Sequence, residues 1–137
     1  MLMPKKVKHR KWQRGGVHGM ASQKSRLSFG HYGLKAQQGS WVTARQIEAA
    51  RRAMTRFIQK GGKIWVRIFP DKPVTLKGAE VGMGGGKGAV DHFVAVVKSG
   101  TIMFEMGGVD RATAWEALRL ASHKLPVTSK IVEKSKV

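Results

Sequence analysis

Eight carboxylates and five histidines are the side chains of this sequence best able to move protons or hold a metal, and there is no cysteine. The acids are Glu48, Asp71, Glu80, Asp91, Glu105, Asp110, Glu116 and Glu133. No two of them fall three or four residues apart, so no pair shares a helical face for acid–base work. His9, His18, His31, His92 and His123 show no H-x-x-x-H spacing of the kind that holds zinc. Without cysteine there are no disulfides, thiolate zinc sites or thiol nucleophiles. Serines and threonines lack a nucleophile elbow. His92 and His123 read as structural or capping groups, while His9, His18 and His31 fall in the more basic half of the sequence. An enzyme is not expected, nor a metal or cofactor.

One segment imitates a nucleotide pocket. Gly82-Met-Gly-Gly-Gly-Lys-Gly88 has five glycines in seven residues. A phosphate-binding P-loop would need glycine where Val81 stands and serine or threonine where Gly88 stands. No G-x-G-x-x-G register fits residues 82–89 either. What remains is a glycine-rich loop carrying one cation, Lys87. Its uncovered backbone N–H groups can approach a phosphate backbone closely, or the loop is a plain surface tip.

The elements that must position these residues follow from local pattern. Residues 27–36 predict a short strand bent at Gly30 and Gly33. Thr43-Ala-Arg-Gln46 is a capping box, opening a helix that runs to about residue 60 and stops at Gly61-Gly62. Ile47, Met54 and Ile58 fall on one side of it with Ala50 and Phe57 beside them, and Arg45, Arg52 and Arg56 on the opposite side. Residues 63–69 alternate, turning Ile64, Val66 and Ile68 one way and Lys63, Trp65, Arg67 and Phe69 the other. The second face interleaves cations and aromatics, which suits phosphates and bases, although Trp65 and Phe69 equally suit packing under a loop. Pro70-Asp-Lys-Pro73 predicts a rigid turn. Residues 90–98 and 101–106 predict a hairpin around Ser99-Gly100. Asp110 predicts the cap of a second helix to about residue 124, with Ala114, Ala117, Leu118 and Ala121 buried. Pro126 ends it, and residues 128–134 predict a last strand. The mixture without βαβ alternation implies an α+β fold.

Charge supplies the strongest functional signal. The chain has 137 residues, 42% hydrophobic, with 26 Lys and Arg against 8 Asp and Glu, a net charge of +18. Its size suits one domain with a core, and no apolar run approaches the ~20 residues that cross a bilayer. Residues 1–47 hold ten basic side chains and no acid, while residues 78–137 hold eight basic and six acidic ones. So large an imbalance repels itself unless a polyanion neutralises it, and nucleic acid is the leading partner. The basic, acid-free start has no apolar stretch of the kind a secretory signal carries, and a transit peptide competes only weakly. It reads as an arm, residues 1–26, that orders on RNA with Trp12 free to stack, ahead of a domain of residues 27–137.

The segments Met1-Leu-Met-Pro-Lys-Lys-Val-Lys-His-Arg-Lys11, Ser28-Phe-Gly-His-Tyr-Gly-Leu-Lys-Ala36 and Thr43-Ala-Arg-Gln-Ile-Glu-Ala-Ala-Arg-Arg-Ala-Met-Thr-Arg56 carry a resemblance. So do Gly62-Lys-Ile-Trp-Val-Arg-Ile-Phe-Pro-Asp-Lys-Pro73, Met83 to Gly88, and His123-Lys-Leu-Pro126. In this order they closely resemble the universal L-sixteen/L-ten-e family of large-subunit ribosomal proteins. The resemblance implies a single two-layer α+β sandwich of mixed sheet and two main helices, with the basic arm and the glycine-rich loop attached. It implies a structural protein of the large subunit, bound to large-subunit (23S-type) rRNA in the cleft that receives aminoacyl-tRNA, beside neighbouring ribosomal proteins and not as a homo-oligomer. By position, Lys5, Lys6, Lys8, Arg10, Lys11, Arg14, Arg45, Arg51, Arg52, Arg56, Lys63, Arg67 and Lys72 would contact rRNA. Met83, Gly84, Gly85, Gly86, Lys87 and Gly88 would form the loop facing A-site and P-site tRNA near the peptidyl transferase centre.

This chain departs from the family pattern at Gly82 and Gly85, where relatives carry an arginine and a polar or basic residue. The arginine is a modification site in some members, and Gly82 cannot take that modification. A weaker electrostatic grip by the loop is therefore expected. With no presequence before the family's own start, a bacterial or plastid-encoded chain is favoured over an imported one, and the expected location is the large ribosomal subunit of the bacterial cytoplasm. The rival reading is a generic nucleic-acid binder or RNA chaperone, which would need no particular RNA.

Overall fold

A computed structural model of the chain describes residues 2–5, 19–21, 24–59, 61–75 and 90–134. Thr43 caps the first helix as its sequence requires. The Gln46 N–H donates to Thr43 Oγ1 at 3.1 Å, and the Thr43 N–H donates to Gln46 Oε1 at 2.9 Å. Helix α1 then runs over Ala44–Ile58, and Ile47, Ala50, Met54 and Ile58 are buried. It stops short of residue 60 because Gln59 already turns into the left-handed region at φ 55°. Phe57, expected beside the core face, is exposed instead. It stands at the rim of the groove between the helices, beside Leu120 and His123. Helix α2 is Arg111–Ser122, capped by Asp110 with Ala114, Ala117, Leu118 and Ala121 buried as expected.

Among the described residues seven strands accompany the helices: β1 Tyr32–Ala36, β2 Ser40–Thr43, β3 Lys63–Val66, β4 Lys72–Thr75, β5 Val90–Val97, β6 Ile102–Gly107 and β7 Ser129–Glu133. They form two sheets, in the orders β3-β6-β1-β7 and β2-β5-β4. Every pairing of these strands is antiparallel. The α+β class stands, with two antiparallel sheets in place of one mixed sheet. The expected hairpin does not form. β5 has both edges taken by β2 and β4, and β6 both edges by β3 and β1. The Ser99-Gly100 turn instead carries the chain from one sheet to the other. It is tied to the end of β1, where the Gly100 N–H donates to the Ala36 carbonyl at 2.7 Å.

The turn expected at residues 70–73 gives way to β4 at its far end. Pro73 is tolerated there because β4 is an edge strand, and an edge can spare a donor. Strand β3 keeps the predicted alternation but ends at Val66. Ile64, Val66, Phe104, Met106, Tyr32 and Leu34 share register positions on one face and join the core beneath the helices. Phe104, fully buried, gains about 1.5–3 kcal/mol from leaving water. Helices α1 and α2 pack against each other, α2 over β1 and β7, and α1 against β2, β5 and β3. Leu2 packs against the same core, so the first residues of the chain lie on the folded body.

Candidate nucleic-acid interface

The opposite face of the four-stranded sheet sets one carboxylate between uncharged cross-strand partners. Trp65 pairs with Glu105, and Glu105 pairs with Gly33 on its other side. Residues 27–30 lie across this row. Gly33 leaves the space Leu27 occupies, since a Cβ there would sit 2.4 Å from Leu27 Cδ2. Glu105 Oε1 accepts three backbone N–H groups, from Ser28 at 3.0 Å, Phe29 at 2.8 Å and Gly30 at 2.9 Å. Phe29 stacks on Trp65 with ring centroids 6.1 Å apart and planes 19° apart. Gly30 lies so close to β6 that a Cβ would meet the Met106 carbonyl oxygen at 2.6 Å.

Glu105 is fully buried, and its second oxygen lies 2.9 Å from Arg67 Nη1. That approach is a charge contact: Oε2 accepts no hydrogen bond, and Nη1 also donates to the Arg26 carbonyl at 2.6 Å. A carboxylate held by three N–H groups and one guanidinium is compensated for its desolvation. Arg67, expected to face outward, is thereby turned inward with 12% of its side chain exposed. Lys72 is likewise 8% exposed, its ammonium 4.3 Å from the centre of the Trp41 ring. Neither is an outward-facing cation, although the alternation turned Arg67 outward and the resemblance placed Lys72 on rRNA. Trp65 packs beneath the segment 27–30 as its alternative reading had it, whereas Phe69 stays exposed.

Among the described residues, three of the five predicted rRNA contacts that face outward sit on α1. Arg45, Arg52 and Arg56 are exposed on the side away from Ile47 and Met54. Arg45 and Arg56 make no ion pair among the described residues. Glu48 accepts from Arg51 through Nε at 3.0 Å and Nη2, one edge of the guanidinium, and from Arg52 Nε at 3.2 Å. The Arg51 hydrogen bonds, followed by the charges of Arg51 and Arg52, hold the Glu48 carboxyl down at about 2, against 4.5 ordinarily. A depressed carboxylate lends stability that is present above pH 4.5 and is lost as pH falls through 2. Glu48→Gln therefore flattens the acid limb of a stability-against-pH curve in that window, read by urea unfolding at successive pH values. An unchanged limb would mean the pair adds nothing to folding.

Lys5 and Lys63 are exposed. Lys6, Lys8, Arg10, Lys11 and Arg14, with the loop residues Met83 to Gly88, lie outside the described residues. His31 is exposed and meets Tyr32 edge-on at 5.9 Å, and His92 pairs with Asp91 at 2.6 Å. Among the described residues no three His, Asp or Glu side chains gather to hold a metal, and no helix is long and apolar enough to cross a membrane. Sequence reasoning passed over Glu105 and Phe29. The available signal was a lone acid inside the apolar run Ile102-Met-Phe-Glu-Met106.

An α+β domain that presents a row of arginines, and commits its buried carboxylate to its own backbone, has the build of a basic docking protein. The comparisons point to one family of that class. The family model described as ribosomal protein L16p/L10e matches residues 4–132. The large ribosomal subunit protein uL16 of Trichodesmium erythraeum (strain IMS101) is 59% identical over 132 residues, covering 96% of each chain. The chain belongs to the ribosomal protein L16p/L10e family. It is a structural, non-enzymatic constituent of the large ribosomal subunit in the bacterial cytoplasm.

Proposed function

We propose that the protein holds large-subunit rRNA in an arrangement that accepts A-site and P-site tRNA near the peptidyl transferase centre, assisting by position without donating a catalytic group. The observation that carries this reading is the exposed row Arg45, Arg52 and Arg56 on a helix whose other side is locked into the core. A rigid row of guanidinium groups can meet phosphates in fixed register, and each phosphate neutralised releases counterions. Lys5 and Lys63 extend the cationic surface, and Arg51 joins it where a phosphate displaces Glu48. Arg67 and Lys72 support it from within by fixing Phe29 and Trp41. The basic residues between Lys6 and Arg14 and the loop from Met83 to Gly88 are assigned by family position, the first to rRNA and the second to tRNA. Neighbouring large-subunit proteins complete the set of partners.

Sedimentation of the tagged chain through a sucrose gradient, after a high-salt wash of the ribosomes, tests the reading. The expected result is that it stays with the large subunit. Release into bulk nucleic acid would favour a generic binder, for which charge suffices and a fixed docking surface does not exist.

A further inference from the structure

Phe29 is 61% exposed although its backbone N–H is tied to the buried Glu105 carboxylate. A phenyl ring left mostly in water adds little to the hydrophobic core, so stability of the fold does not explain its placement. Its surroundings do have a common theme. One ring neighbour is Trp65, near-parallel at 19°, and the Arg67 guanidinium lies 5.6 Å from the Phe29 centroid. The exposed Lys63 ammonium lies 5.4 Å from the Trp65 centroid. Gly107 leaves room for the indole, since a Cβ there would come within 3.3 Å of Trp65. The result is an aromatic surface fixed by a buried carboxylate and bordered by an exposed cation.

We propose that Phe29, backed by Trp65, is a stacking platform for one unpaired nucleobase of RNA, with Lys63 taking a phosphate of the same strand. This rests on the RNA-binding reading above and names the kind of RNA this corner takes. A base offers a flat π-face and carries an anion at a short tether, matching a ring beside an ammonium. An apolar peptide would cover Phe29 but leave Lys63 without a counter-charge. A continuous duplex hides its base faces, so the platform selects a loop, a bulge or a strand end. Glu105 and Arg67 are positioning residues that hold the ring without touching the base.

The test measures fluorescence anisotropy of a labelled single-stranded oligouridylate, and of a blunt RNA duplex of equal length, with the full chain. Phe29→Ala and Phe29→Leu should weaken single-strand binding about 5- to 150-fold, the equivalent of the ~1–3 kcal/mol of one stacked base. Phe29→Trp should retain it. Duplex affinity and the thermal midpoint of Phe29→Leu should stay at wild type, because no phosphate contact and little packing is lost. Lys63→Ala should lower the salt slope by about one. Single-strand binding by Phe29→Leu equal to wild type, with duplex binding intact, overturns the platform and leaves the RNA-binding reading standing. Failure of the wild-type chain to bind either RNA overturns both.

Discussion

Glu105→Ala is expected to destabilise the domain by about 3–5 kcal/mol, the usual cost of breaking a buried ion pair. That is a large part of the ~5–15 kcal/mol by which small domains are stable. Three N–H groups, from Ser28, Phe29 and Gly30, lose their acceptor, and Arg67 is left nearly buried without its counter-charge. Glu105→Gln should cost less, about 1–3 kcal/mol, since the amide oxygen still accepts N–H groups while its NH2 faces the guanidinium. Combining Glu105→Ala with Arg67→Ala should cost less than the two separately, because neither charge is then stranded. Urea unfolding followed by tryptophan fluorescence measures all of these. A Glu105→Ala midpoint equal to wild type would mean that the segment over the sheet is held by packing alone.

The second large effect concerns binding. Replacing Arg45, Arg52 and Arg56 together by alanine should lower the slope of log affinity against log salt by about 2.7 on large-subunit rRNA, at ~0.9 per phosphate contact. At low salt the loss should reach about two orders of magnitude. Stability should hardly change, as the three side chains are exposed and alanine is the best helix former. An unchanged salt slope would place the RNA on another face of the protein.

Particular residues show why some features were legible beforehand. The Thr43–Gln46 capping box and the Asp110 cap are contacts made within three residues, so their partners are already neighbours in the chain. The buried faces of α1 and α2 follow from a period of 3.6, and β3 from a period of 2. Phe57 was misread because only the angle at which α2 crosses α1 decides where the rim of their groove lies. Residues 72–75 looked like part of a turn because Pro73 lacks an N–H, and its toleration depends on β4 lying at an edge. The strands β5 and β6 were recognised, but their partners were not. Alternation states which side chains share a face and nothing about which strand lies alongside.

Sequence alone therefore determined the charge imbalance, the two helices with their faces, the lack of catalytic spacing and, through its motifs, the family. Each of these is carried by residues near one another or by a simple sum. Tertiary structure decided the two-sheet pairing, the inward turn of Arg67 and Lys72, and the union of Glu105 with a segment 75 to 77 residues earlier. Such contacts are chosen by which surfaces exclude water together and which buried charges find partners, and residues far apart in the chain meet only when the whole domain has closed.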